Sequence, residues 1–230
     1  MCCQLLRHEN GSAGVVTEAV RVLSSHRVRW LCCLAAVCLM ATSCAKKASA
    51  PSQAETGIAS WYGHPFDGRP TASGEIYDME KMTAAHRTLP FGTVVRVESL
   101  ATHKTSEVRI NDRGPFVQGR IIDLSHAAAE AIDMQSIANV RLQVVSTPPT
   151  RGADLFAVQI GGFSERAPAE QLRDQMQREY GAATLVFRPG DQTWRVLVGL
   201  EPTLAGANAL AQQLNRESGP AFVVRVDEAP

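Results

Sequence analysis

Residues 93–124 read TVVRVESLATHKTSEVRINDRGPFVQGRIIDL, and three short apolar runs inside that stretch set the fold class. Thr93–Val97 and Glu107–Ile110 are half-buried strand candidates, and Arg120–Leu124 is a third. Between the last two, Asn111-Asp112-Arg113-Gly114-Pro115 carries the residue types that turn a chain. Outward from there the same punctuation recurs at Gly63-His64-Pro65, Asp67-Gly68 and Leu89-Pro90, and Val140–Val145 alternates apolar with polar. Ser125–Met134 (SHAAAEAIDM) is the one helix, with Ser125 as its N-cap. Residues 57–146 are expected to close into a six-stranded or similar β-barrel, within the size that folds alone.

The run Thr147-Pro148-Pro149-Thr150-Arg151-Gly152 interrupts any continuing element, because adjacent prolines remove donors and hold the chain extended. Residues 147–153 therefore read as a linker, and residues 154–230 change period. Strand patterns at Leu155–Ile160, Ala183–Arg188, Trp194–Leu200 and Ala221–Val226 enclose two helical stripes. One is Leu172, Met176 and Tyr180 on Ala169–Tyr180, stopped by Gly181; the other is Leu204, Ala207, Ala211 and Leu214. The order β-α-β-β-α-β predicts a four-stranded antiparallel sheet with both helices on one face, the other face left open for something long and thin. The fold class is mainly β followed by a small α+β unit.

The 230 residues are 45% apolar and 20% charged, with 23 Lys plus Arg against 23 Asp plus Glu. A balanced chain has no global field toward a nucleic-acid backbone, so no nucleic-acid partner is expected. All six cysteines lie at or before Cys44, which removes a disulfide scaffold and a cysteine-ligated metal from the body of the protein. The histidines show no metal-ligand spacing, and phosphate loops, dinucleotide fingerprints and nucleophile elbows are absent; neither metal nor cofactor is expected.

Trp30–Met40 (WLCCLAAVCLM) is an uncharged run preceded by Arg21, Arg27 and Arg29 and followed by Ala41-Thr42-Ser43-Cys44. Residues 1–43 read as a secretory signal, too short to span a bilayer. Glu9 and Glu18 oppose the positive charge expected of a leader, which points to a translation start nearer Val20, Val22 or Val28. The run ending at Cys44 resembles a bacterial lipobox. That resemblance implies lipidation of Cys44 and anchoring, with Ala45 favouring the outer membrane; acyl chains hold a protein on a membrane without a spanning helix. Residues 44–56, small and polar after the cysteine, read as the tether.

Gly57–Gly63 (GIASWYG), Thr71–Glu75 (TASGE), Thr83–His86 (TAAH), Leu89–Thr93 (LPFGT) and Asn111–Phe116 (NDRGPF), in that order, resemble the rare lipoprotein A family. The resemblance implies a double-psi β-barrel and an endolytic lytic transglycosylase acting on the MurNAc–GlcNAc bonds of peptidoglycan. Val158–Phe163 (VQIGGF) and Trp194–Gly199 (WRVLVG) resemble a SPOR domain. That implies binding of glycan strands stripped of stem peptides, as at division septa, with Gln159, Trp194 and Arg195 as contacts and divisome proteins as possible partners.

Breaking a glycosidic bond requires a proton for the departing oxygen, work for a carboxylic acid of raised pKa. Asp112, in a Gly-Pro-bounded loop just past a strand, is the first candidate; the competing reading is a carboxylate that caps the Asn111–Gly114 turn. Glu75 and His86 match family positions and are candidates to tune Asp112 or hold the sugar. Asp123 reads as a buried carboxylate bonding backbone donors, with a groove-facing role left open. Trp61 and Tyr62 offer flat faces for pyranose stacking, strand alternation turning one of them inward, and Arg113 is a further substrate-binding candidate. A hydrolase and a lytic transglycosylase are not separable from the residues alone; the resemblance favours the non-hydrolytic route. The rival readings are a wall-binding, expansin-like barrel without catalysis and a division-site scaffold.

Overall fold

The computed structural model describes residues 54–149 and 152–227; the expected signal segment, Cys44 and most of the expected tether lie outside the described residues. The first six strands are β1 (Glu55–Trp61), β2 (Thr83–Ala85), β3 (Val94–Ser99), β4 (Thr105–Asp112), β5 (Arg120–Leu124) and β6 (Ile137–Ser146). They close in the order β1-β5-β2-β4-β3-β6. Two pairs, β1 with β5 and β2 with β4, run parallel, and the rest are antiparallel. The cause is the alternation along each strand: Val95 and Val97, Val108 and Ile110, Ile122 and Leu124, Val140 and Leu142 all point into one core. The strands and the helix foreseen from the sequence are present. The tether ends sooner than expected, because Glu55 and Thr56 pair with Leu142 and Arg141 of β6.

Helix α1 (His126–Ala131) begins as its cap dictates: the Ser125 side chain accepts from the Ala128 amide at 3.2 Å. It packs Ala128 and Ala129 under the barrel.

The C-terminal unit contains β7 (Phe156–Phe163), α2 (Arg166–Tyr180), β8 (Ala183–Arg188), β9 (Thr193–Glu201), α3 (Leu204–Glu217) and β10 (Ala221–Arg225), with sheet order β10-β7-β9-β8, all antiparallel. Gly181 ends α2 in the left-handed conformation, φ 76°, which a residue without Cβ adopts at little cost. Met176 from α2 and Ala207, Ala211 and Leu214 from α3 share a core with Phe156, Val158, Ile160, Val196 and Val198. Both helices therefore lie on one face. Leu204, expected in the α3 stripe, is 43% exposed, since it opens the helix before the stripe reaches the sheet.

The opposite face of this sheet is not open. Ala157, Gln159 and Val224 on it are all but inaccessible, because the barrel covers them. Phe222 meets Phe116 edge-on at 6.0 Å, Arg195 stands over the Phe116 ring at 4.8 Å, and the Arg225 amide donates to the Arg87 carbonyl at 3.0 Å. At the other edge Arg69 donates to the Gly190 carbonyl at 3.0 Å. Gly190 allows this approach: a Cβ there would lie 2.7 Å from the Pro70 carbonyl oxygen.

Leu214 and Leu204 of α3 provide a paired check on this packing. Leu214→Ala should cost about 2–5 kcal/mol through lost burial and a cavity, and Leu204→Ala less than about 0.5 kcal/mol, as read by urea denaturation of each variant.

Candidate active site

A lateral row across one end of the barrel builds the site. In register, Ser60 of β1 is opposite Asp123 of β5, Asp123 is opposite Ala85 of β2, and Ala85 is opposite Asp112 of β4. Registered neighbours project on the same side of a sheet, and the two carboxylate-bearing backbones stand two strand spacings, or roughly 10 Å, apart. Between them Ala85 contributes only a methyl group. The row edges a cavity of about 320 Å³ walled by Trp61, Tyr62, Phe66, Tyr77 and Phe116, of a size that accepts a small polar ligand.

Asp112 is held by its own backbone surroundings. Its Oδ1 accepts from the Ala72 amide at 2.8 Å and the Arg113 amide at 2.7 Å, while Oδ2 has no partner among the described residues. Burial pushes this carboxyl above the ordinary range, opposed by those two amides and by the Arg188 and Arg113 guanidiniums. Turn capping therefore occupies one oxygen only: Oδ1 caps, and Oδ2 is left available. Asp123 also lines the cavity. It accepts from the Ser60 hydroxyl instead of from backbone donors, and burial raises its carboxyl against the pull of Ser60, Arg120 and Arg87. The groove-facing alternative is the one the structure adopts, which gives the cavity a second carboxyl of raised proton affinity.

Glu75 and His86 are outside the cavity. Glu75, 46% exposed at its side chain, is bound by both terminal nitrogens of Arg109 at 2.7 and 2.8 Å and by Asn111 at 3.1 Å. Arg109 holds its carboxyl below the usual range, the wrong direction for a proton donor. Its carbonyl closes the Thr71–Glu75 turn, and that turn presents the Ala72 amide to Asp112. His86 is buried; its Nδ1 accepts from the Thr88 and Leu89 amides at 3.2 and 3.1 Å, which leaves the proton on Nε2, facing Glu55 at 3.5 Å. His86 N–H also donates to the Asp112 carbonyl at 3.1 Å. Both residues position Asp112 without touching the cavity.

Arg113 differs most from expectation. Its side chain is 1% exposed. Nη1 donates to the His86 and Leu89 carbonyls at 2.9 and 2.8 Å, Nε and Nη2 bind Asp227, and the guanidinium lies 3.8 Å from the Phe91 ring centroid. Arg113 is among the residues lining the cavity, but its guanidinium donors are taken by internal acceptors, so its side chain ties the structure together. Trp61 and Tyr62 both face the cavity, contrary to alternation, because β1 ends at Trp61 and Tyr62 lies beyond it. Trp61 is fixed by its indole N–H on the Gln135 carbonyl at 2.9 Å, and Tyr62 stacks on Tyr77 at 4.2 Å.

The C-terminal candidates do not converge. Gln159 and Arg195 lie on the covered face, while Trp194, one residue from Arg195, points to the helix side, where it packs on Phe187 at 4.9 Å beneath Arg166. The sequence reading missed Arg188, Pro189, Gly190 and Asp191, which come from the β8–β9 hairpin and complete the cavity wall. No local signal marks them, since they reach the site only through docking of the sheet.

Two outcomes test this geometry. Asp227→Ala leaves the Arg113 charge buried without its partner and should cost about 3–5 kcal/mol in urea denaturation. Asp112→Asn keeps both backbone hydrogen bonds and removes a carboxyl whose proton affinity rises on folding. Such a group contributes full stability below its unfolded pKa and loses it as pH rises through the folded one. The variant's melting temperature should therefore match wild type below about pH 4 and exceed it at neutral pH, by differential scanning fluorimetry.

Comparison with known proteins follows this architecture. The family described as lytic transglycolase matches residues 54–144, and the SPOR domain family matches residues 152–225. A protein of Helicobacter pylori strain J99 named endolytic peptidoglycan transglycosylase RlpA is 38% identical over 173 residues, covering 62% of this chain and 55% of that protein. Its namesake in Vibrio cholerae is 53% identical over 100 residues, covering 42% and 38%. A probable counterpart in Synechocystis is 57% identical over 91 residues, covering 39% and 28%. The chain spans about half, or less, of the length of these curated relatives. Both halves of the described structure are thus accounted for in order, and the chain belongs to the rare lipoprotein A family, with a double-psi β-barrel followed by a SPOR domain.

Proposed function

We propose that this chain is an endolytic lytic transglycosylase that cuts the MurNAc–GlcNAc bond of peptidoglycan strands lacking stem peptides and leaves 1,6-anhydroMurNAc ends. The observation that carries the reading is the pair of half-buried carboxyls of raised proton affinity, Asp112 and Asp123, facing one aromatic-walled cavity. The relatives' names supply the reaction class. Asp112, its proton affinity raised by burial, donates from Oδ2 to the departing GlcNAc oxygen. The resulting carboxylate is stabilised by the Ala72 and Arg113 amides already aimed at it, a preorganised arrangement. It then takes the proton of the muramyl C6 hydroxyl as that oxygen attacks the anomeric carbon, so one residue serves as acid and then base, and no water is consumed. Asp123, when ionised, lies across Ala85 to stabilise the positive charge that develops on the sugar ring, while Trp61 and Tyr62 provide stacking faces.

In the same reading Cys44 carries the lipid that holds the protein on the outer membrane facing the periplasm. Among the described residues no helix is long and apolar enough to cross a membrane. The SPOR domain concentrates the barrel on septal glycan, and divisome proteins are partners. Capture of glycan by Gln159 and Arg195 requires their face to leave the barrel, while Trp194 with Phe187 offers a stacking surface that is not under the barrel.

Asp112→Asn should retain the fold and abolish release of anhydromuramyl fragments from amidase-treated sacculi, read by mass spectrometry. Asp123→Asn should slow release by about 100-fold or more. Undiminished release by Asp112→Asn with none from Asp123→Asn would transfer the acid role to Asp123. Products with ordinary reducing ends would establish a hydrolase instead, and sacculus binding without any product would establish a non-catalytic wall protein.

A further inference from the structure

Among the arginines around the cavity, Arg188 alone lacks a protein acceptor. It closes β8 in the SPOR domain, yet lines the cavity of the barrel. Arg113 is tied to Asp227, Arg120 donates to Ser60, and Arg69 donates to Gly190. Among the described residues the Arg188 side chain forms no hydrogen bond and no ion pair, and its Nε is buried without a partner. A desolvated guanidinium facing a cavity is suited to a planar anion that takes two parallel N–H bonds, above all a carboxylate. Its position is fixed by the hairpin, which Arg69 grips at Gly190 and which approaches Pro70 so closely that no Cβ fits.

The function proposed above supplies such an anion, and the inference rests on that reading. Each muramyl residue carries a lactyl ether. In a denuded strand its carboxyl is free and ionised; where a stem peptide remains, the same carbon is a neutral amide with a chain attached. We propose that Arg188 binds the free lactyl carboxylate of a muramyl residue in the cavity. The SPOR domain thereby contributes a specificity determinant to the barrel's own site, in addition to any hold on the polymer elsewhere. A carboxylate on Arg188 also offsets the positive charge that draws the proton from Asp112, so the correct substrate favours the protonated donor.

The test uses the full chain and two substrates: denuded glycan strands, and the same strands with lactyl carboxylates converted to methylamides by carbodiimide coupling. Wild type should lose about 10–100-fold in kcat/KM on the capped strands, the value of a hydrogen-bonded charge. Arg188→Gln should cut both strands at the slow rate of wild type on the capped ones, and Arg188→Lys, which keeps the charge without the fork, should fall between. Equal cleavage of both strands by wild type, or undiminished discrimination by a folded Arg188→Gln, overturns the inference. If wild type releases no product from either strand, the catalytic reading fails by itself. Calorimetric binding of N-acetylmuramic acid and its methylamide then decides: a preference for the free acid that Arg188→Gln loses supports the inference, and equal affinities overturn it.

Discussion

The guanidinium of Arg113 is the constraint on which the rest of the molecule depends. A charge removed from water must find acceptors in nearly every direction, and Arg113 finds its partners on two separate parts of the chain: one loop that supplies the His86 and Leu89 carbonyls and the Phe91 face, and Asp227 beyond the last strand. Satisfying one side chain therefore fixes the end of β4 that carries Asp112, the loop beside it, and the end of the SPOR domain. Burial draws the Arg113 pKa down to about 10 even with Asp227 beside it, so the guanidinium stays charged at neutral pH. Arg87 acts in parallel, tying the Pro115 and Arg120 carbonyls together and standing over Phe222 at 5.8 Å.

From that framework the roles of the motif residues separate. Glu75 and His86 work through hydrogen bonds one step removed from the cavity, the first by shaping the turn that delivers the Ala72 amide, the second by holding the Leu89 loop and the Asp112 carbonyl. Asp112 and Asp123 face the cavity itself, separated by the small side chain of Ala85. Residues in one motif set thus divide into a carboxyl exposed to ligand and the groups that aim it.

Much of this was legible in the sequence where a local rule applies. Ser125 capped its helix, Gly181 stopped α2, and β5 and β8 fell where turn residues and apolar runs placed them. Where no local rule applies, the reading failed. β2 is three buried residues, Thr83–Ala85, too short to show alternation. Trp61 and Tyr62 share a side because the strand ends between them, which its pattern does not announce. Asp123 is set between two apolar neighbours, and its orientation to the cavity follows from registry with Ser60 and Ala85, a long-range pairing. The buried face of the SPOR sheet and the placement of Arg188 arise only from two units meeting, and the hydrophobic pattern of either one alone is silent on that contact.

The β8–β9 hairpin completes a wall of the barrel's cavity, and that bears on how the protein can be dissected. Excising the C-terminal half would strip the remaining barrel of a flank and of the Asp227 counter-charge at the same stroke. A truncation phenotype would then conflate misplaced protein with a breached reaction chamber. Point changes at the hairpin, which spare the sheet, separate the two genetically.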